Sequence, residues 1–274
     1  MRLRLNHETH EIHEKEAESL FFWSRDNGSL ARLLARICPF CVCFPFVYFV
    51  CFVVPTQLSD SHMPVQDIHS QCLIRSTALS GYYMERLIAP LEVIRVLNDA
   101  GVRFLLVGLH GIGGWMRKPR ATEDVDVLVA SRGHKKAAKA LLEAFPYLEA
   151  QDEDVVTRLR DPESGIVKVD LIKPNQPLFR EILKHGHPVA SGGQSYNIPT
   201  LEAALAMKFA PMISLNRAEE DRHQDAHDFM YMIKANAEID LRQVEAFGAL
   251  VYPSGGKEIL ELVRKVRNGE KLIV

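Results

Sequence analysis

Cysteine is confined to the N-terminal part of this chain. All five cysteines lie between Cys38 and Cys72, and the 274-residue sequence has none after that point. A disulfide framework is therefore not expected in the remainder, and a reducing cytoplasm is the predicted compartment. The CPFC motif at 38–41 lacks the second cysteine pair of a structural zinc site.

Neither sign of charge is in excess. The chain has 33 lysines and arginines against 35 aspartates and glutamates, a formal net charge of -2. This balance gives no support to nucleic-acid binding through global basicity. Composition therefore leaves the partner open.

Residues 1–62 differ in composition from the rest of the chain. They include an apolar segment at 38–55, CPFCVCFPFVYFVCFVVP, whose roughly 18 residues approach the length needed to cross a bilayer. Pro39 and Pro45 interrupt it. We expect a disordered extension or a start-site artefact, with the protein beginning at Met63 or Met84; the alternatives are a membrane segment and a folded functional role.

From Met84 the pattern is that of a packed domain over residues 84–173. An apolar helical stripe ends at Gly101, a buried-type strand follows at 102–107, and glycines then accompany a short helix that ends near Trp115. A second strand, an amphipathic helix and a hairpin complete the predicted order α-β-α-β-α-β-β.

Residues 174–274 are predicted to be mainly helical. Thr200 is a plausible N-cap, and further helices are expected at about 217–235, from Asp240 and from Ser254. The predicted fold class is α+β, a small mixed sheet flanked by helices with a C-terminal helical subdomain.

Three aspartates stand out on the predicted strands. Asp124 and Asp126 point to the same face because side chains alternate along a strand, and Asp170 lies in the strand VKVDLI. Carboxylate oxygens suit hard divalent cations, and the glycine-rich turn at Gly108 offers backbone donors to phosphates. The pattern predicts a metal-assisted site for nucleotide chemistry.

These motifs resemble those of the polymerase-β-like nucleotidyltransferase superfamily. The matching features are the Gly108 turn, the run from Arg120 through Thr122 to Asp124 and Asp126, and the isolated Asp170. Lys208, followed by Asp225 and Asp228, is similar to the helices of minimal stand-alone bacterial members, including AbiE-type toxins of toxin-antitoxin pairs. The resemblance covers about 84–233.

The resemblance implies a function and a set of roles. Asp124, Asp126 and Asp170 would bind Mg²⁺ or Mn²⁺, and an acceptor hydroxyl would attack the α-phosphate of an NTP. The predicted nucleotide-binding residues are Gly108, Gly111, Arg120, Thr122 and Lys208. The acceptor is left open among RNA, protein and a small molecule, and an antitoxin is a further expected partner.

One position departs from the family pattern. The second residue of the turn, usually glycine or serine, is Leu109. The alternative is therefore an inactive nucleotide-binding or interaction protein that retains the fold. Thr122 is also interpreted as a local cap of the Asp124 loop.

Lys208 has the further interpretation of a lysine that extends from an apolar helix face to solvent. Asp225 and Asp228 are interpreted either as residues that order Lys208 or an arginine such as Arg222, or as an exposed acidic face.

Two other patterns are assigned to more ordinary roles. His223 and His227 have metal-ligand spacing, but Gln224 replaces the glutamate of a zinc protease motif. Phe104 and Trp115 are predicted to be core residues, with stacking on a nucleotide base as the alternative for Trp115.

Overall fold

The computed structural model describes residues 63–83 and 86–272. The apolar segment 38–55 and the rest of the extension lie outside these residues, so the interpretations of residues 1–62 stay predictions. Within the described ranges, none of the helices combines the length and hydrophobicity of a membrane-spanning segment.

The first half alternates helices with the five strands of one sheet. The elements are α1 (Val65–Tyr83), α2 (Pro90–Asp99), β1 (Phe104–Leu106), α3 (Gly108–Met116), β2 (Val125–Val129), a 3₁₀ turn (Ser131–Gly133), α4 (His134–Ala144), β3 (Glu149–Asp152), β4 (Val156–Arg160) and β5 (Val167–Ile172).

The sheet is mixed, with strand order β1-β2-β5-β4-β3. Strands β2 and β5 are parallel, and the other neighbours are antiparallel. The predicted hairpin is β4–β5, and the predicted α+β class is confirmed. Strand β3 was not predicted, because its sequence EAQD is exposed throughout and carries no apolar alternation.

The second half contains a hairpin and four further long helices. After α5 (Pro177–Ile182) come β6 (Gly186–Ser191), β7 (Gln194–Pro199), α6 (Leu201–Met212), α7 (Glu219–Ala235), α8 (Leu241–Ala249) and α9 (Gly255–Arg267). Thr200 caps α6 by accepting from the Ala203 N–H, and Asp240 caps α8. The Thr200 cap agrees with the sequence prediction, and α8 begins near Asp240 as predicted. Strand β6 was not predicted.

The two faces of the sheet contribute to different parts of the core. Along β2, Val125, Val127 and Val129 pack in the cluster that contains α2 and α4. Leu128 packs on the opposite face, in the cluster formed mainly by α3 and helices α6 to α9. Asp126 therefore lies on the side of the sheet that faces α3 and the C-terminal helices.

Helix α1 precedes the domain start that the sequence pattern indicated. It buries Ile68, Cys72 and Leu73, but also the polar His69, Ser76 and Ser80. This mixed face explains why apolar periodicity did not reveal the helix. Gly114 of α3 lies so close that a Cβ there would be 2.7 Å from the His69 Cβ, so a glycine is required at this contact.

Candidate active site

Three carboxylates converge where β2 and β5 run side by side. Asp126 and Asp170 are paired in register across the two parallel strands, and Asp124 lies one residue before β2. One oxygen from each of the three lies within 4.8 Å of the others, and all three residues are partly buried. The structure thus brings the three predicted site aspartates together.

Gly108 brings backbone against this acidic cluster. It begins α3 with a φ of +54°, and a Cβ there would lie 1.8 Å from Asp126 Oδ2. A side chain at position 108 is therefore sterically excluded. Gly111 has a different role, since its missing Cβ leaves space for the Leu106 carbonyl of β1. The structure thus places Gly111 in helix–strand packing rather than beside the carboxylates.

Leu109 does not enter the space beside Asp126. Its side chain is only 6% exposed and packs in the core with α6 and the other C-terminal helices. The departure from the family pattern therefore falls on a residue directed into the protein interior.

Burial and mutual repulsion raise the pKa values of two carboxylates in the acidic cluster. Burial raises the pKa of Asp126 well above its usual range, Asp124 and Asp170 raise it further, and Lys208 and Arg217 oppose the shift. Burial, with Asp124, raises the pKa of Asp170 to about 6 against the opposing effect of Arg158. A bound cation would relieve this repulsion.

The donor set fits a hard divalent cation. All three groups are carboxylates, the ligands that Mg²⁺ and Mn²⁺ prefer. In addition, the buried Oδ1 of Asp170 has no hydrogen-bond partner in the described chain. An unsatisfied buried acceptor of this kind calls for a ligand.

Thr122 connects the acidic cluster to α1. Its hydroxyl donates to Asp124 Oδ1 at 2.8 Å, and its backbone N–H donates to Ser80 Oγ at 3.0 Å. The neighbouring Arg120 N–H donates to Ser76 Oγ at 3.3 Å. The structure therefore places Thr122 as the predicted local cap, and its support from two helix serines was not predicted.

Lys208 and Arg120 take part in a buried charge network. Lys208 Nζ lies 2.9 Å from both Asp225 Oδ1 and Asp228 Oδ2. Arg217 pairs with Asp225 at 2.7 Å, and Arg120 pairs with Asp228 at 3.1 Å. Burial alone would lower the pKa of Lys208, but the two carboxylates raise it.

This network changes the interpretation of the two aspartates of α7. Their side chains are only 4% and 2% exposed, so they do not form a solvated acidic face. They order Lys208, as one of the two sequence interpretations proposed. Lys208 and Arg120, the predicted phosphate ligands, are both ion-paired.

A cavity of about 640 Å³ adjoins the carboxylates. Asp126 and Gly108 line one end, and Lys208 and Arg217 contribute cationic groups. Its apolar lining is supplied by Ile112, Leu178, Phe179, Met207, Pro211, Leu250 and Val251. The volume falls in the range of small-molecule sites, and the combination of charged and apolar lining suits a nucleotide.

The remaining sequence candidates lie elsewhere or serve packing. His223 and His227 belong to no described group of three or more His, Cys, Asp or Glu residues that could hold a metal. Phe104 is buried in the core. Trp115 is half-buried, and its Nε1–H donates to the Pro199 carbonyl at 2.9 Å.

Sequence reasoning missed two arginines beside the carboxylates. Arg158 of β4 is the cross-strand partner of Asp170, so Asp126, Asp170 and Arg158 form one row across three strands. Arg158 Nε lies 3.9 Å from Asp170 Oδ1. Arg160 lies two residues further along β4, and like Arg158 it opposes the rise in the pKa of Asp170. The alternation of Arg158, Leu159 and Arg160 along β4 was the sequence signal that could have placed both arginines on one face of the sheet.

Comparison with known proteins does not identify a family for this chain. No family model and no curated protein matches the sequence. An antigenic nucleotidyltransferase-like protein from Paracoccidioides brasiliensis is 19% identical, with a TM-score of 0.40 over 70% of this chain and 94% of that chain.

Two further solved structures are similar at lower identity. The antibiotic-resistance factor ANT(2'')-Ia is 11% identical, with a TM-score of 0.40 over 58% of this chain and 86% of its own. Terminal uridylyl transferase 4 from Trypanosoma brucei, with bound GTP, is 11% identical, with a TM-score of 0.28 over 77% of this chain and 86% of its own. All three TM-scores are below 0.5, so these likenesses assign no function to this chain.

Proposed function

We propose that this protein is a metal-dependent nucleotidyltransferase that moves a nucleoside monophosphate from an NTP to an acceptor hydroxyl. The observation that carries the proposal is the convergence of Asp124, Asp126 and Asp170 within 4.8 Å, beside a glycine that lets backbone approach them. The sequence motif and the adjoining cavity support the same chemistry.

Asp124, Asp126 and Asp170 would hold Mg²⁺ or Mn²⁺. Bound divalent ions would neutralise phosphate charge and activate the attacking oxygen. On the protein side, Gly108 opens the first turn of α3, whose free backbone N–H groups suit an anion. Arg217 and Lys208 line the cavity next to Asp126 and add positive charge for the triphosphate.

The transfer step exchanges one phosphorus–oxygen bond for another. The acceptor oxygen forms a bond to the α-phosphorus, the bond to the bridging oxygen breaks, and pyrophosphate leaves with its electron pair. Asp170 is the carboxylate that accepts the hydroxyl proton, because it lies on the β4 side of the cluster, outside the cavity lining, and its Oδ1 has no hydrogen-bond partner among the described residues.

The acceptor class and the biological setting are part of this proposal. The acceptor is an RNA, a protein or a small molecule with a hydroxyl group, and the protein acts as the toxin of a toxin-antitoxin pair. The resemblance of Lys208, Asp225 and Asp228 to the helices of stand-alone bacterial members supports that setting.

A second candidate function is nucleotide binding without transfer. The pairing of Lys208 with Asp225 and Asp228, and of Arg120 with Asp228, favours it, because cations held in ion pairs are less able to move toward charge that develops during transfer. The burial of Leu109 counts against it, because the unusual residue leaves the cavity open.

Label transfer distinguishes the two functions. The full chain is incubated with α-³²P-labelled NTPs, Mg²⁺ or Mn²⁺, and in turn total RNA, a protein lysate and small hydroxyl compounds. Transfer is expected with the wild type and is expected to vanish in Asp126→Asn. It should persist in Asp221→Asn, an exposed aspartate of α7. Nucleotide binding without label on any acceptor would establish the second function.

A further inference from the structure

Two arginines face the same side of the sheet as the carboxylates. On β4, Leu159 is fully buried in the core cluster of the opposite face, so Arg158 and Arg160 on either side of it point toward the face of Asp126 and Asp170. Arg158 and Asp170 are direct cross-strand partners. The row of acids across β2 and β5 is therefore continued by cations on β4.

The two arginines differ in their partners. Arg158 is bonded to Glu153 and lies 3.9 Å from Asp170, so its charge is largely compensated. Among the described residues, no carboxylate pairs with Arg160, and its buried Nε has no hydrogen-bond partner. A buried guanidinium donor without an acceptor is costly and calls for a ligand.

The strand opposite Arg160 is irregular. The register shifts between Leu159 and Arg160, so that Arg160 pairs with Val167 and Lys168 is an extra residue in β5. Bulges of this kind occur next to active sites and bend the strand that carries the extra residue, here β5. The irregularity lies two residues from Asp170 along β5.

The position of Arg160 separates it from the cavity. The cavity is lined by Asp126, Gly108 and Lys208, and its lining includes neither Asp170 nor the two arginines of β4. If the NTP occupies the cavity, the β4 side of Asp170 is the side left for the second substrate.

We propose that Arg160, assisted by Arg158, binds a phosphate group of the acceptor and so directs the acceptor hydroxyl to Asp170. This inference rests on the proposed transfer function for its second substrate, although the anion site itself can be tested without catalysis. Guanidinium groups bind phosphate through paired N–H donors. The site selects phosphorylated acceptors, such as a nucleic-acid strand or a small phosphate ester, and disfavours polycations.

Anion binding to the full chain tests the site. A fluorescein-labelled oligoribonucleotide is titrated with wild type, Arg160→Gln, Arg160→Lys and Arg158→Gln at several salt concentrations. Arg242→Gln, which removes an exposed arginine of α8, is the matched control. Arg160→Gln should weaken binding roughly tenfold or more and reduce the salt slope by about 1. Arg160→Lys keeps the charge but loses the paired N–H donors, so it should retain the salt slope and lose part of the affinity. It covers the case in which Arg160→Gln does not fold.

Competition with inorganic phosphate identifies the source of the anion. Displacement of the oligoribonucleotide by millimolar phosphate, lost in Arg160→Gln, supports a small phosphorylated acceptor. Arg160-dependent binding that phosphate does not displace supports a nucleic-acid strand. Equal affinities of Arg160→Gln and Arg242→Gln would overturn the proposal, as would transfer of label to a polycationic aminoglycoside.

A Mn²⁺ titration of the same proteins keeps the two proposals apart. Both wild type and Arg160→Gln should bind Mn²⁺, because Arg160 is not one of the proposed metal ligands. If the wild type does not bind Mn²⁺, the transferase function is contradicted. The oligoribonucleotide titration then tests the Arg160 anion site independently.

Discussion

The hydroxyl of Ser80, on α1, accepts a hydrogen bond of 3.0 Å from the backbone N–H of Thr122. Thr122 in turn donates to Asp124, so a helix far from the carboxylates in sequence holds the loop that leads into them. Ser80 is fully buried and also bonds the Ser76 carbonyl, so its orientation is fixed by the helix.

Ser80→Ala should therefore affect both stability and metal binding. The Thr122 N–H loses its acceptor, which we expect to lower the free energy of unfolding by about 1 to 3 kcal/mol. Looser positioning of Asp124 should also weaken Mn²⁺ binding several-fold. Urea unfolding and Mn²⁺ calorimetry measure the two effects. Thr77→Ala is the control, since Thr77 bonds only within α1, to Leu73; an unchanged Mn²⁺ affinity in Ser80→Ala would contradict the positioning role.

A chain that starts at Met84 should fold poorly, whereas one that starts at Met63 should fold. The shorter chain lacks α1, and with it the buried Ile68, Cys72 and Leu73. Gly113 and Gly114 of α3, which contact α1, would be exposed to solvent. Thermal unfolding of the two purified chains measures the difference. Equal melting temperatures would show that α1 is dispensable.

Local pattern was sufficient for the strands that carry the carboxylates. Alternation correctly placed Asp126 on a strand face opposite Val125 and Val127, and the caps Thr200 and Asp240 follow from side-chain chemistry alone. The register that pairs Asp126 with Asp170 could not be predicted in this way. It depends on parallel pairing of residues that are 44 positions apart in the sequence, such as Asp126 and Asp170, which no local pattern encodes.

Long-range pairing also explains what the sequence did not reveal. Asp225 and Asp228 have the local appearance of an exposed acidic face, and their burial depends on Lys208, Arg217 and Arg120 from other elements. Likewise, α1 can bury His69 and Ser80 because each has a hydrogen-bond partner on another element. The partner of His69 is the Tyr196 hydroxyl on β7, and the partner of Ser80 is the Thr122 N–H. In both cases the tertiary partner, not the residue type, decides burial.

Lys208→Gln should destabilise the protein whether or not nucleotide is present. It leaves Asp225 and Asp228 buried with fewer compensating charges, and removal of one partner from a buried ion-pair network costs about 3 kcal/mol or more. Urea unfolding measures this loss, and Lys234→Gln, an exposed lysine at the end of α7, is the control. A variant as stable as the wild type would indicate that Lys208 acts only on the nucleotide.

Two buried histidines should make the protein sensitive to acid. Burial lowers the pKa of His69 and His110 to about 4, so the unfolded chain binds protons more readily than the folded one below about pH 6.5. The free energy of unfolding is therefore highest above that pH. It falls by about 2 kcal/mol per histidine between pH 7.5 and pH 5. His110→Gln should flatten this dependence in urea unfolding, whereas exposed His223→Gln should not. A slope unchanged in His110→Gln would contradict the assignment.

Asp170 should contribute a pH dependence of the opposite sign. Its pKa is raised to about 6 in the folded protein, so the folded state holds the proton more tightly than the unfolded chain does. Metal-free protein therefore loses stability through this group as the pH rises from about 4 to about 6, by about 2 kcal/mol. Asp170→Asn removes the repulsion with Asp124 and should be more stable than metal-free wild type at pH 7, with the difference vanishing near pH 4.

Addition of Mn²⁺ should reverse that order at pH 7, because the wild type gains binding energy that Asp170→Asn cannot recover in full. Thermal unfolding of both proteins, with chelator and with saturating Mn²⁺, gives the four values needed. Asp154→Asn, an exposed aspartate before β4, should follow the wild type in all conditions. If Asp170→Asn is the less stable protein in chelator and gains as much from Mn²⁺ as the wild type, then Asp170 is a structural residue and the cation is held elsewhere.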